Sequence, residues 1–241
     1  MKRVLTFLCG MALSLSLAVL LLSGLIGGSA ASSTVMEEML VSHTTEAETG
    51  LPADEYSGMA TMIAKYLAGG NVEFQYTFTS DEGTEYVCFN TREQTHMADC
   101  LQLMTLCRTI MLFSAMAACL LMVALLLEKQ RGNAAVGFLV GNGVVLLACV
   151  ALVVWGLIDF DGLFVCFHQT FFTNDLWLLN PSTDLLIRLM PTQFFIDWAA
   201  TIAGVWLVAL IIGTVGAGMI LHHQGKSLGR KKKTGYEVAF K

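Results

Sequence analysis

The sequence predicts a mainly α-helical membrane protein, a bundle of four transmembrane helices with a small extracellular α+β cap between the first and second spans. Of its 241 residues, 55% are hydrophobic and only 14% are charged, a balance too apolar for a soluble domain. Four apolar runs reach the length of about 20 residues that a helix needs to cross a bilayer. The longest stretch of mixed polarity separates the first two runs, and its local patterns favour a folded domain.

The order of these runs divides the chain into seven segments. The first run, from Val4 to Ile26, is longer than the apolar core of a signal peptide, which has roughly 7–15 residues, so we expect an uncleaved anchor. The predicted segments are the first transmembrane helix (1–28), the extracellular cap (29–100), the second (101–127) and third (134–158) transmembrane helices, an extracellular aromatic interfacial segment (159–197), the fourth transmembrane helix (198–221) and a basic cytoplasmic tail (222–241).

Local patterns within the cap predict a helix followed by a β-hairpin. Asp54 follows Pro52 and Ala53 as the predicted N-cap of a helix, and apolar residues then recur at helical spacing from 56 to 67. Residues 72–78 alternate between apolar and mostly polar side chains, residues 80–83 are typical of a turn, and residues 84–89 form the return strand. The cap is therefore predicted to be a small α+β domain.

The placement of lysine and arginine predicts the orientation in the membrane. Lys2 and Arg3 precede the first span, Lys129 and Arg131 separate the second and third, and the basic run 230–233 follows the fourth. Because basic residues in short loops favour the cytoplasmic side, both termini are expected there, with the cap and the aromatic segment outside. The basic tail lies beside a span, so attraction to anionic membrane lipid explains it better than binding to nucleic acid.

The seven cysteines form two groups, and none has the spacing of a metal site. Four lie in apolar spans and are expected to act as small hydrophobic residues: Cys9, Cys107, Cys119 and Cys149. Three lie in predicted extracellular segments, where one pair of them is placed to form a disulfide: Cys88, Cys100 and Cys166. We expect no metal and no cofactor.

His96 is the first candidate for chemistry. If the chain is already helical there, Arg92, His96 and Asp99 lie along one face at positions i, i+4 and i+7. A carboxylate one turn from a histidine can fix the tautomer of the ring and raise its basicity. The same spacing also fits a solvated helix start with charges on its wet face, and both interpretations stay open.

His168 is the second candidate, within the aromatic segment. Phenylalanine and tryptophan surround it, with Asn174 and Asp175 nearby, and aromatic rings of this kind prefer the membrane–water interface. A lone imidazole among them is either an interfacial residue between aromatic anchors or a proton-transfer group at lipid depth.

Two longer motifs contain these histidines. The pattern F-H-x-x-F-F-x-N-D-x-W-L-L-N-P-x-T-D-x-L-I-x-x-x-P-x-x-F-F extends from Phe167 to Phe195, and F-N-x-R-E-x-x-H-M-x-D extends from Phe89 to Asp99. Both resemble signatures of the four-span lipoprotein intramolecular transacylase family of Gram-positive bacteria. The order of spans, the cap before the second one and the cytoplasmic tail also resemble that family.

The resemblance implies an acyltransferase of the bacterial cell membrane that acts on diacylglyceryl-modified lipoproteins. The sn-2 acyl chain of an N-terminal S-diacylglyceryl-cysteine would move to the free α-amine, leaving an N-acyl, S-monoacylglyceryl (lyso-form) lipoprotein. The family's catalytic histidines match His96 and His168. The site is expected at the outer face of a monomer that uses no cofactor.

The remaining site residues follow from that reaction as hypotheses. Arg92 and Asn174 are candidates to hydrogen-bond the developing oxyanion, and Asp99 and Asp175 are candidates to orient the imidazoles. The aromatic residues expected to line a substrate groove open to lipid are Phe167, Phe171, Phe172 and Trp177.

Two other classes of protein remain as alternatives. A non-catalytic organiser or scaffold with four spans would share the topology, but tetraspanin-like and claudin-like cysteine motifs do not occur in the sequence. An outward-facing, metal-dependent membrane hydrolase would use His96, Asp99 and His168, and sensitivity to chelators would distinguish it from a metal-free transacylase.

Overall fold

α-Helices form most of the chain in the computed structural model, which describes residues 2–80, 82–127 and 131–239, with the side chains of 131 and 225–239 excepted. Four of the described helices are long and apolar enough to cross a membrane: Lys2–Ala30, Thr91–Leu127, Gly132–Ile158 and Thr192–Gln224. A two-stranded sheet accompanies them. The predicted fold class, a four-span helical membrane protein with a small α+β element, is confirmed.

The elements follow one another with short connections. The described helices and strands, with a 3₁₀ turn at Ala53–Glu55 before α4, are α1 (Lys2–Ala30), α2 (Ser33–His43), α3 (Glu46–Thr49), α4 (Tyr56–Leu67), β1 (Thr77–Thr79), β2 (Glu85–Val87), α5 (Thr91–Leu127), α6 (Arg131–Ile158), α7 (Phe160–Phe171), α8 (Leu185–Leu189) and α9 (Thr192–Ala239).

Some sequence-based predictions concern residues outside this description. Lys129 and the polar turn at 128–130, Asp81 in the hairpin turn, and residues 240–241 of the tail all lie outside the described residues.

The chain divides into two compact units, the first formed by Met1–Leu22, Met111–Leu152 and Gly204–Lys241. In this unit α1 and α6 approach closely, because Gly10 faces the backbone of Ala134 and Gly137 faces the backbone of Phe7, with no room for a Cβ atom. Small residues at a helix contact are typical of packing inside membranes.

A buried amide joins α6 to α9 in the same unit. The side chain of Asn142 donates to the carbonyl oxygen of Leu210 at 2.7 Å and to the hydroxyl of Thr214 at 2.7 Å. Away from water, a polar side chain of this kind requires such partners, so it also fixes the register of the two helices.

The second unit comprises Ser23–Ile110 and Val153–Ala203 and contains the cap and both sequence motifs. Its hydrophobic core packs α2 and α4 against the start of α5 and against α8. Members of this core that are almost completely inaccessible to solvent are Leu40, Met59, Ile63, Phe89 and Leu189.

The predicted hairpin is present with shorter strands than the pattern indicated. β1 and β2 pair antiparallel with Thr77 opposite Val87 and Thr79 opposite Glu85. One backbone bond continues past the strands, from the amide of Cys88 to the carbonyl of Tyr76 at 3.0 Å. Beyond it the side chain of Gln75 contacts Phe89, accepting from its amide at 3.0 Å and donating to its carbonyl at 2.8 Å.

The helix predicted from residue 56 is present, but Asp54 does not cap it. Asp54 lies inside the 3₁₀ turn, and the residue at the N-cap position is Glu55, whose side chain makes no capping bond. Glu55 instead accepts a hydrogen bond from the hydroxyl of Tyr76.

The motif from Phe89 to Asp99 lies at the start and on the first turns of α5. This helix begins at Thr91 rather than near residue 101. Asn90 caps the helix, since its Oδ1 accepts from the amides of Arg92 (2.9 Å) and Glu93 (3.1 Å). Glu93 reaches back to the amide of Asn90 at 2.8 Å, so the two residues form a capping box. His96 and Asp99 are therefore helical, as both interpretations assumed, and the burial of His96 does not fit a ring on a solvated face.

All seven cysteines are free thiols in the structure. The disulfide considered for Cys88, Cys100 and Cys166 is therefore absent. Cys100 lies on α5 with its sulfur 3.7 Å from His96, whereas Cys166 is exposed on α7.

Candidate functional site

The second unit brings His96 of α5 and His168 of α7 together. Their ring centroids lie 6.2 Å apart, and the rings are tilted by 33°. Both side chains are buried, with 8% and 7% of their surface exposed. Because imidazole is polar and usually hydrated, two buried rings this close form an arrangement that merits a functional explanation.

The environment of His168 fixes its tautomer. Its Nδ1 lies 2.7 Å from the carbonyl oxygen of Phe164, which can only accept, so Nδ1 carries the proton and Nε2 keeps its lone pair. Trp177 stacks on the ring at 4.7 Å. Burial lowers the pKa of His168 below its ordinary value of 6.5, and the hydrogen bond to Phe164 opposes part of that effect. The ring is thus a neutral base at pH 7.

His96 has an unused hydrogen-bonding atom. Among the described residues, its buried Nδ1 has no hydrogen-bond partner, while Nε2 lies 3.7 Å from the sulfur of Cys100. The ring of Phe172 packs edge-on against it at 5.3 Å. A buried polar atom without a partner costs about 1–3 kcal/mol, so this nitrogen is a candidate to hydrogen-bond a bound substrate.

The predicted supporting residues make contacts other than those expected. The Asn174 amide donates to the carboxylate of Asp99 at 2.8 Å, and the Arg92 guanidinium donates to the backbone carbonyl of Asp175. In the described part of the chain, neither Asp99 nor Asp175 forms a hydrogen bond with an imidazole, so the expected orienting contacts are not observed. Asp99 turns to Asn174 instead, and Asp175 uses its backbone.

Two buried carboxylates missed by the sequence analysis hold the site together. Glu93 accepts from the amide of Leu186 at 2.7 Å. Asp184 accepts from the Asn90 side chain at 2.8 Å and from the amide of Asn180 at 2.7 Å. The bond to Leu186 joins α8 to the start of α5, and the bond from Asn90 joins the loop before α8 to the same place.

Hydrogen bonding also decides the charge of Asp184. Burial acts to raise the pKa of Asp184, but the hydrogen bonds from Asn180, Asn90 and Thr183 outweigh it and hold the pKa below its usual value. Glu93 belongs to the motif from Phe89 to Asp99, and Asp184 belongs to the motif from Phe167 to Phe195. Their presence in these motifs was the sequence signal that could have identified them.

A cleft of about 370 Å³ lies beside the histidine pair. Phe172 is part of its wall and also packs against the rings of His96 and His168, at 5.3 and 5.4 Å. The cleft is lined by Asp99, Gln102, Leu103, Leu106, Phe171, Phe172, Thr173 and Asn174.

The four predicted groove residues therefore fall into two groups. Phe171 and Phe172 line the cleft, whereas Phe167 and Trp177 contact the ring of His168, with centroids 5.3 and 4.7 Å away. Within the described residues, no group of three or more histidine, cysteine, aspartate or glutamate side chains is arranged to hold a metal ion.

The fold and the site together define an integral membrane protein with a buried histidine pair beside a cleft that is polar at one end and apolar at the other. Residues 10–195 match the model of the lipoprotein intramolecular transacylase Lit family. The chain belongs to this family, as the two motifs predicted.

Solved structures agree with this assignment at the level of the fold. The membrane-integral lipoprotein intramolecular transacylase Lit from Bacillus cereus matches with a TM-score of 0.61 and 20% identity, covering 97% of this chain and 98% of that chain. Variants of the Bacillus cereus protein with one histidine replaced by arginine or by alanine match with TM-scores of 0.64, at 21% and 20% identity; they cover 94% of this chain and 95% and 96% of theirs. A comparison with curated proteins found no match.

Proposed function

We propose that this protein moves the sn-2 acyl chain of an N-terminal S-diacylglyceryl-cysteine to the α-amine of the same cysteine, producing a lyso-form lipoprotein. The observation that carries the proposal is the pair of buried imidazoles, His96 and His168, within the segment that matches the transacylase family. The substrates are diacylglyceryl-modified lipoproteins.

The reaction needs no nucleophile from the enzyme, because both reacting groups belong to one substrate. The nitrogen attacks the ester carbonyl carbon, a C–N bond forms, and the bond to the glyceryl oxygen breaks. One proton leaves the amine and one is gained by the glyceryl oxygen, so the step balances without a co-reactant. Holding amine and ester in the correct orientation contributes roughly 7–11 kcal/mol to lowering the barrier.

His168 serves as the general base. The α-amine has an ordinary pKa of about 8, so most of it is protonated and unreactive at pH 7. Nε2 of His168 is free to accept a proton because Nδ1 donates to Phe164. A neutral ring whose pKa is lowered by burial stays available for this step.

His96 serves as the donor. Its vacant Nδ1, when protonated, can donate a hydrogen bond to the developing oxyanion and then to the departing glyceryl oxygen. Nε2 then holds the lone pair and faces the thiol of Cys100. The two imidazoles thus divide the work between proton removal and charge stabilisation.

The proposal places the site at the outer face of the bacterial cell membrane, with both termini in the cytoplasm. The supporting observation is the distribution of basic residues, with Lys2 and Arg3 before the first span and the basic run 230–233 after the fourth. All the residues assigned roles come from one chain, so the proposal needs only a monomer. The apolar side of the cleft suits membrane lipid chains.

The protonation of His168 can be tested against that of His43 in the same protein. The hydrogen bond to Asp197 raises the pKa of His43, with a further contribution from the carbonyl of Met39 and some opposition from burial. We expect ¹³C chemical shifts of the imidazoles to titrate below pH 6.5 for His168 and above pH 6.5 for His43. A pKa of His168 at or above 6.5 would contradict its role as a neutral base.

The function itself is tested by mass spectrometry of N-terminal lipopeptides from cells that lack other N-acylating activity. Expression of the protein is expected to convert the diacylglyceryl peptide with a free amine into the N-acyl, S-monoacylglyceryl peptide. A peptide that loses one acyl chain but keeps a free amine would instead identify a hydrolase. An unchanged peptide would favour a non-catalytic organiser.

A further inference from the structure

Within the described residues, no lysine, arginine or histidine forms an ion pair with the carboxylate of Asp99. Within the part of the chain that the structure describes, one ion pair is present. It joins His43 to Asp197, at a different place in the second unit. Asp99 receives a hydrogen bond from Asn174 on one oxygen, Oδ2. The nearby Arg92 guanidinium donates to the backbone of Asp175. A charged oxygen at the edge of a cleft is therefore available to a cation from outside the protein.

The lining of the cleft continues from this carboxylate into an apolar wall. Asp99, Leu103 and Leu106 follow one another on a single face of α5, since their spacing of four and three residues matches the helical repeat. Phe171 and Phe172 form the apolar wall contributed by α7 and the residue that follows it. A ligand that fits this lining has a positive group at one end and a hydrocarbon chain behind it.

We propose that this cleft is the subsite for the primary ammonium group of the substrate, with Asp99 as its counter-ion and Leu103, Leu106 and Phe171 as the contact surface of an acyl chain. The proposal rests on the proposed function, which supplies a substrate with both features. Phe172 lines the cleft and touches both imidazole rings, so an ammonium bound at Asp99 is close to the general base.

The ammonium subsite favours binding of the substrate over binding of the product. The ammonium binds at Asp99 and loses one proton to His168, which passes it to water. The resulting amine attacks the ester carbonyl, a second proton leaves the nitrogen as the C–N bond forms, and the glyceryl oxygen gains one proton as its bond to the acyl carbon breaks. Asp99 forms no covalent bond with the substrate. After transfer the nitrogen is an uncharged amide, which has lost its attraction to the carboxylate. The product is therefore expected to bind more weakly than the substrate.

The test uses a ligand that cannot react. An ether analogue, in which both acyl esters of the diacylglyceryl-cysteine peptide are replaced by alkyl ethers, is prepared with a free α-amine and with an acetylated one. Binding of both to the full-length protein in vesicles is expected to favour the free amine by about threefold to fivefold at pH 6.5, the effect of one partly exposed charge pair.

Variants assign that preference to a residue. Asp99→Asn is expected to abolish the preference for the free amine while leaving the acetylated ligand bound as before, and Asp99→Glu is expected to retain the preference. Asp161→Asn is the matched control and is expected to keep the wild-type preference, because it removes one negative charge from an exposed position of α7 outside the cleft lining. A wild-type protein that binds both ligands equally, or a preference that survives in Asp99→Asn or disappears in Asp99→Glu, would overturn the proposal.

The two proposals fail in different ways. If ester substrates undergo transfer but Asp99→Asn binds the two ether ligands with the wild-type preference, the ammonium subsite is wrong and the transacylase stands. If the preference depends on Asp99 but ester substrates remain intact, the subsite stands and the proposed reaction is wrong.

Discussion

Replacing His168 with alanine is expected to slow acyl transfer by about 10²–10⁴-fold, the usual contribution of a general base. The variant loses the lone pair on Nε2 that takes the proton from the substrate amine, while the cleft and the Asp99 carboxylate remain. The rate is measured with the purified protein and an S-diacylglyceryl-cysteine peptide, by mass spectrometry of the N-acylated product at matched protein concentration.

Two further variants separate this effect from a loss of packing. His168→Gln keeps a side chain of similar length that can donate to the Phe164 carbonyl, but it supplies no base, so it is expected to be as slow as His168→Ala. His222→Ala removes an exposed histidine of α9 and is expected to transfer at the wild-type rate. A His168→Gln protein with wild-type activity would contradict the assignment of the base.

Replacing His96 with alanine is expected to lower kcat by about 10²–10³-fold, the cost of removing one oxyanion donor. KM is expected to change little, because the hydrogen bond from Nδ1 strengthens only as negative charge develops on the carbonyl oxygen. Full kinetic curves for the wild type and the variant in the same vesicles measure both quantities.

His96→Gln provides the matched comparison. Its side-chain amide can donate a hydrogen bond, so we expect it to recover part of the activity lost in His96→Ala. The double variant His96→Ala/His168→Ala should be hardly slower than the slower single variant, because groups that act in one step are not additive. A His96→Ala protein with unchanged kcat and a raised KM would show a binding role instead.

The fold class was predictable because it depends on composition and on local periodicity. The long apolar runs, the alternating residues of the hairpin and the helical spacing around Met59 and Ile63 are all short-range signals. The start of α5 was harder to locate, because the polar residues around His96 resemble a loop. Only the capping contacts of Asn90 and Glu93 show that the helix begins there.

The candidate site was predictable in its residues but less so in its contacts. The motifs predicted both histidines and the two phenylalanines of the cleft wall. The hydrogen bond between Asn174 and Asp99, and the contact of Glu93 with the amide of Leu186, join residues far apart in the chain, and no local pattern encodes such pairs. For the same reason a role for Asp99 towards the substrate emerged only from the lining of the cleft.

The most direct test of the central claim asks whether the acyl chain moves within a single substrate molecule. Two diacylglyceryl peptides are mixed in equal amounts with the purified protein, one unlabelled and one carrying deuterated acyl chains together with a ¹³C-labelled peptide. The account predicts N-acylated products in which both labels occur together or neither occurs. Products that join a deuterated chain to an unlabelled peptide, or a diacylglyceryl peptide that remains unchanged, would contradict it.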